Sequence, residues 1–209
     1  MNSFPGARAA YHFTPFMYYN RQAVAKPRIF DFFKALRQHE GASLPVGTAG
    51  FCWGGKYVAL LCHDAEKASN GQSLVDAGFA AHPSMLALPD DIEAVQKPLS
   101  IANGSRDMAL TGPGMEQVKA IFAEKEQGKF ELVVYEGAKH GFAVRGDPSN
   151  EREHKQGLEA EDQVFSYCLT EMVTFKALLI CNLGGRVVYK VVRKGGVVGT
   201  GVYGFHYSR

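Results

Sequence analysis

Short apolar runs alternate along the chain with stretches whose apolar positions recur every three or four residues. Continuous runs bounded by turn residues predict strands, and the 3.6-residue period predicts helices. A helix is expected from Pro27, a residue favoured in a first helical turn, to a stop at Gly41, with Phe32, Phe33 and Leu36 on its buried face. Leu44–Ala49 predicts a strand, and Lys56–Cys62 the helix after it. Beyond a polar loop from Asp64 to Ser73, Val75–Ala81 reads as a buried strand ending at His82-Pro83. A weak helical turn over Asp90–Val95 leads to a strand at Pro98–Asn103, closed by Gly104. Met115, Val118 and Phe122 share one face of a helix predicted over Pro113–Gln127, with Gly128 as its stop. Phe130–Tyr135 is the next strand, closed by Gly137, and a last helix runs from Leu158 to about Met172.

Strands alternating with helices, without hairpin signals between them, predict a mostly parallel α/β sheet flanked by helices. Function in such sheets collects in the loops after the carboxyl ends of the strands. Here those loops hold Cys52, His82, Asp107 and His140. Residues 1–27 carry Tyr11, Phe13, Phe16, Tyr18 and Tyr19 without a clear period. The organisation expected is an irregular segment over 1–27, an α/β domain over 28–172, and a Gly/Val-rich tail over 173–209.

Charge and composition narrow the partners. A net charge of +2 over 209 residues singles out no polyanion, and nucleic acid is not an expected partner. The charge is unevenly spread. Six of the 23 basic residues follow Glu171 and none of the 21 acidic ones does, so the tail is basic and the main body mildly acidic. Cys52, Cys62, Cys168 and Cys181 form no C-x-x-C pair, which fits reduced thiols and a cytoplasmic location. The N-terminus lacks the basic and apolar regions of a signal peptide. No run approaches the ~18–20 apolar residues of a membrane span, so no integral membrane segment is expected. The histidines lack metal-ligand spacing and the glycines around Cys52 are not those of a nucleotide loop, so neither metal nor cofactor is expected.

The chemistry centres on Gly50-Phe51-Cys52-Trp53-Gly54-Gly55, set between a strand and a helix. That order is the layout of a nucleophile elbow, with cysteine as the nucleophile. The turn is sharp and strained, so residues two before and two after the nucleophile must let the backbones approach closely. A helix N-terminus behind the sulfur favours a thiolate and a developing oxyanion. The competing reading is a buried structural cysteine beside a Gly-rich turn. A nucleophilic cysteine needs a base, and the base needs an orienting carboxylate. Asp107, in Gly104-Ser105-Arg106-Asp107, and His140, in Gly137-Ala138-Lys139-His140-Gly141-Phe142, follow strands in the order nucleophile, acid, histidine. The Trp53 backbone N–H is the candidate oxyanion donor, with its indole as pocket wall or core. His82 is a pocket candidate or a structural histidine. Arg106 and Lys56 read as solvated charges.

Three stretches, G-F-C-W-G-G-K at 50–56, A-H-P-S at 81–84 and K-H-G-F-A-V-R-G-D at 139–147, resemble the dienelactone hydrolase family, in particular its fungal-type branch. The resemblance covers roughly residues 28–172. It implies an α/β-hydrolase fold with Cys52 as nucleophile, His140 as base and Asp107 as its orienter. It also implies a small ester or lactone substrate, cleaved through an acyl-enzyme that water releases. Arg145 is the candidate for binding a substrate carboxylate. Members that bind dienelactone place an arginine four residues after the histidine, where this chain has Val144.

Two departures qualify that expectation. Family members carry roughly half the sheet before the nucleophile strand, including a second oxyanion donor, whereas Cys52 has 51 residues before it. The expected sheet therefore lacks its N-terminal strands, and its open apolar edge makes a homodimer possible. The tail from Val187 to Tyr203 matches nothing in the family; a β-hairpin about Gly195-Gly196, a basic membrane-surface contact and a divergent tail without a role are its three readings. An active cysteine hydrolase, a non-catalytic remnant acting by binding, and a thiol-redox protein all remain open from the sequence alone.

Overall fold

The computed structural model describes the backbone over residues 14–171, 177–183, 186–193 and 196–204, and side chains over residues 14–167. Tyr11, Phe13, Met172 and Gly195 lie outside the described residues. The elements in order are α1 (Gln22–Gln38), β1 (Val46–Phe51), α2 (Trp53–Cys62), β2 (Ala77–Ala81), α3 (Asp90–Glu93), β3 (Leu99–Gly104), α4 (Gly112–Ala123), β4 (Phe130–Tyr135), α5 (Phe142–Arg145), α6 (Glu151–Glu171), β5 (Ala177–Leu183), β6 (Arg186–Arg193) and β7 (Gly196–Gly204).

The first four strands are mutually parallel, in the order β4-β3-β2-β1. β1 and β2 are buried along almost their whole length, as strands covered on both faces are. Successive residues then feed opposite cores. Phe79 and Ala81 of β2 point to the side of α6, whereas Ala80 points to the side of α1, α2 and α4. Burying one side chain the size of Phe79 contributes about 1.5–3 kcal/mol. The resulting layers, helices on both faces of a parallel sheet with an elbow after β1, are those of an α/β-hydrolase fold.

β1 does not end the sheet. The backbone of β5 runs parallel along its other edge, pairing Val46 with Leu178 and Gly50 with Asn182. β6 and β7 follow as antiparallel strands, with Arg193 opposite Gly196.

Several boundaries differ from the sequence expectation. α1 begins at Gln22, so Pro27 lies inside it. The missing proline N–H costs one bond. Buried Ala25 and Phe30, and Lys26 lying over the Phe30 ring, hold the added turn. Residues 14–19 are also helical rather than irregular. α4 ends at Ala123, one residue past its last buried position, and Lys125 then reaches back to the carbonyls of Glu93 and Val95. α6 opens at Glu151, well before Leu158. Asn150 Oδ1 accepts from Glu153 N–H and caps the first turn, while Glu153 Oε2 accepts from Asp147 N–H and ties the preceding loop to it, so the helix starts early.

Candidate active site

Cys52 stands at the β1–α2 junction with φ 54 and ψ −119, a conformation costly for a non-glycine residue. The elbow persists because neighbouring groups over-determine it. A side chain at Gly50 would place Cβ 2.5 Å from the Gly54 carbonyl oxygen, and one at Gly55 would meet Pro83 at 2.8 Å. Only glycine lets strand, helix and the β2 exit loop close on the sulfur. The Cys52 N–H is shared between Ala81 O at 3.1 Å and His82 Nδ1 at 3.2 Å. The Cys52 carbonyl accepts from Gly55 N–H and Ser84 N–H, both at 3.0 Å.

Two more loops reach the sulfur. His140 Nε2 lies 3.0 Å from Cys52 Sγ, and its Nδ1 lies 3.1 and 3.0 Å from the two oxygens of Asp107. Asp107 Oδ1 also accepts from Ala109 and Leu110 N–H, so the carboxylate is fixed by its own loop. Gly137 and Gly141, with φ of +72 and +92, flank His140 and let the chain turn sharply on both sides of it. Arg152 and Gln156 of α6 hold that turn through the Glu136 carbonyl. The acid and histidine loops are pressed together where Gly104 faces Ala138; an added Cβ would stand 2.3 Å from the Ala138 oxygen. Gly104→Ala is therefore expected to force the two loops apart, at about 1–3 kcal/mol, lowering the thermal midpoint by roughly 3–10 °C. A differential-scanning trace within 1 °C of the parent would contradict this.

The electrostatics follow the geometry. The hydrogen bond from His140 dominates at Cys52 and, against partial burial, lowers its thiol to about 7. The hydrogen bond to Asp107 raises His140 to about 9, with Cys52 adding to it. Burial pushes the Asp107 carboxyl up, but hydrogen bonds from His140 and Ala109 outweigh that and hold it below its ordinary range. The thiol is drawn down and the imidazole up, each in part by the other, which favours a thiolate–imidazolium pair.

The other sequence-selected residues are placed differently. The Trp53 N–H faces the sulfur and favours its charged form, while the indole packs on Phe16 and Tyr57. His82 is 0% exposed, its ring in T-shaped contact with those of His140 and Phe142. Burial lowers it to about 4, so it is neutral near pH 7. Because its Nδ1 accepts the Cys52 N–H, its proton sits on Nε2, which has no partner among the described residues. Arg145 is exposed, with its guanidinium folded across Gly141. Arg106 is exposed as expected.

Lys56 is not the solvated residue its sequence position suggests: it is 9% exposed and bonds Asp91 Oδ2 at 3.0 Å and the Met85 carbonyl at 2.9 Å. Ser84 was not singled out, although its hydroxyl lies 3.8 Å from Cys52 Sγ. Its only sequence signal was its place in A-H-P-S, directly after a strand end. Among the described residues no group of three or more His, Cys, Asp or Glu side chains could hold a metal ion. Nor is any described helix long and apolar enough to cross a membrane.

Comparison with known proteins agrees with this architecture. A hydrolase of Aspergillus violaceofuscus, pyvD, is 31% identical over 60% of this chain and 45% of its own length. The chain thus spans less than half the length of the curated relatives it matches. Among solved structures, a dienelactone hydrolase-like promiscuous phosphotriesterase from metagenomic libraries superposes with a TM-score of 0.57 at 18% identity, over 78% of this chain and 68% of that one. A thermophilic esterase of Thermogutta terrifontis gives 0.50 at 18% identity, over 66% and 62%. These structural likenesses establish the α/β-hydrolase fold. The model of the dienelactone hydrolase family matches residues 9–169, and the chain belongs to that family.

Proposed function

We propose that the chain hydrolyses a small carboxylic ester or lactone through a Cys52 acyl-enzyme. One observation carries the reading: Sγ, the His140 ring and the Asp107 carboxylate form a continuous hydrogen-bonded line with links of 3.0–3.1 Å. The thiolate attacks the carbonyl carbon, and the carbonyl π pair moves to oxygen beside the Trp53 N–H. The tetrahedral intermediate collapses as His140 Nε2–H protonates the leaving alkoxide, leaving the acyl group on sulfur. Water then adds to the acyl carbon with His140 accepting its proton, and expulsion of the thiolate releases the acid. The exposed Arg145, one turn after His140, is the candidate contact for a carboxylate on the substrate.

Active-site titration with an activated aryl ester tests this. A burst of about one phenol per chain is expected if the acyl-enzyme accumulates; a folded sample with neither a burst nor steady phenol release removes the reading and favours a binding role instead. The pH dependence is a second test. Attack needs the thiolate, so kcat/KM for an alkyl ester rises through about pH 7; expulsion needs the imidazolium, so it falls through about pH 9. A profile flat from pH 5 to 10 would exclude the pair.

A further inference from the structure

Among the described residues the Trp53 N–H is the backbone donor that favours a charged sulfur, and the β2 exit loop places a hydroxyl beside that sulfur. We propose that Ser84 is a catalytic residue of the reaction inferred above, donating its Oγ–H to the oxyanion opposite the Trp53 N–H. The inference rests on that reading of Cys52.

Ser84 is half-buried, and its hydroxyl contacts the thiol sulfur at 3.8 Å. At that distance the hydroxyl makes a weak hydrogen bond to the sulfur, one of the lesser influences that lower the thiol. The same distance suits an oxygen carried on the carbon that Sγ attacks. Such an oxygen stands off the sulfur toward the surrounding donors, where a hydroxyl set back by this distance can reach the roughly 2.7–3.1 Å of a productive oxyanion contact.

The loop holding Ser84 is unusually constrained. His82 and Met85, on either side of it, have φ of 38 and 62, both costly for non-glycine residues. The strain is held at three points. Ser84 N–H donates to the Cys52 carbonyl at 3.0 Å. Pro83 fills the space left by the absent Gly55 side chain. Lys56 grips the Met85 carbonyl while Asp91, its buried ion-pair partner, accepts the Ala87 N–H at 2.7 Å. The desolvation of this lysine is offset by its bonds to the Asp91 carboxylate and the Met85 carbonyl, which tie the loop to α2. The clamp thereby fixes a hydroxyl at the elbow before any substrate arrives.

The step balances without a further reactant. The C–Sγ bond forms, the carbonyl pair becomes the oxyanion, and Ser84 lends a hydrogen bond without giving up its proton. When the intermediate collapses, the pair returns and His140 protonates the leaving oxygen.

The experiment compares wild type, Ser84→Ala and Ser84→Thr by pre-steady-state burst kinetics, and separately by alkylation with iodoacetamide. Alkylation consumes the thiolate but forms no oxyanion. Ser84→Ala is expected to slow acylation by about 10²-fold or more, with KM little changed and alkylation within about twofold of wild type. Ser84→Thr, which keeps the hydroxyl, should recover most of the rate. A wild-type burst that Ser84→Ala leaves at full speed overturns this proposal alone. So does an equal loss in alkylation, since the hydroxyl would then act wholly through the sulfur. Absence of any wild-type phenol release, burst or steady, removes the hydrolase reading, and this inference with it.

Discussion

Cys52→Ala should lose turnover by roughly 10⁴-fold or more while keeping the parent's thermal midpoint. The separation of these outcomes follows from the elbow. Its strain lies in the φ of 54 at residue 52, and alanine carries the same Cβ, so the substitution adds no clash and leaves the Ala81 and Ser84 backbone contacts in place. What disappears is the sulfur. With it goes the second-largest influence raising His140, so that imidazole should titrate below the parent's value of about 9, visible by NMR of its ring proton. Cys52→Ser restores an oxygen nucleophile but not a resting ion pair, and is expected to remain at least 10²-fold slower at neutral pH. Unchanged ester turnover in a folded Cys52→Ala sample would falsify the nucleophile assignment. A lowered His140 titration without any activity in the parent would favour the remnant reading.

Much of this site was readable in the sequence because its constraints are local. Gly50, Gly54 and Gly55 are spaced as the elbow needs, since backbone must approach backbone there. The gathering of Cys52, Asp107 and His140 followed from the alternation of strands and helices, which brings the carboxyl ends of a parallel sheet to one edge. What escaped was set by partners far along the chain. Lys56 looks like a solvated helix residue until Asp91, 35 residues on, is folded against it. Ser84 meets Cys52 across 32 residues, and nothing within the A-H-P-S stretch reveals that contact. The late start predicted for α6 was a different kind of miss. Asn150 stands three before Glu153, the spacing of a cap and the N–H it accepts from, and that local signal was available. The early start of α1 belongs with the tertiary cases. Pro27 is an N-terminal signal taken alone, and burial of Ala25 and Phe30 overrides it.

Asp107→Asn should shift the pH profile as well as the rate, which distinguishes an orienting carboxylate from a loop cap. The hydrogen bond between Asp107 and His140 is the largest influence holding the imidazole at about 9. The His140 hydrogen bond is in turn the largest influence holding Cys52 at about 7. An asparagine amide keeps the loop bonds to Ala109 and Leu110 through its oxygen but removes the charge. His140 then falls, and the thiol climbs back toward its ordinary value. The sign is fixed: the ascending limb of kcat/KM moves to higher pH and the descending limb to lower pH, so the two approach and cross. At pH 7.5 the expected loss is roughly 10²–10⁴-fold, combining a smaller thiolate fraction with a less well-held imidazole. The leaving group separates these contributions. A nitrophenyl ester needs no protonation to depart, so raising the pH to 9.5 should restore most of its acylation by ionising the thiol. An alkyl ester needs His140 as an acid and should stay slow at every pH. An Asp107→Asn variant whose limbs remain at about 7 and 9 would show that His140 is held by something other than this carboxylate.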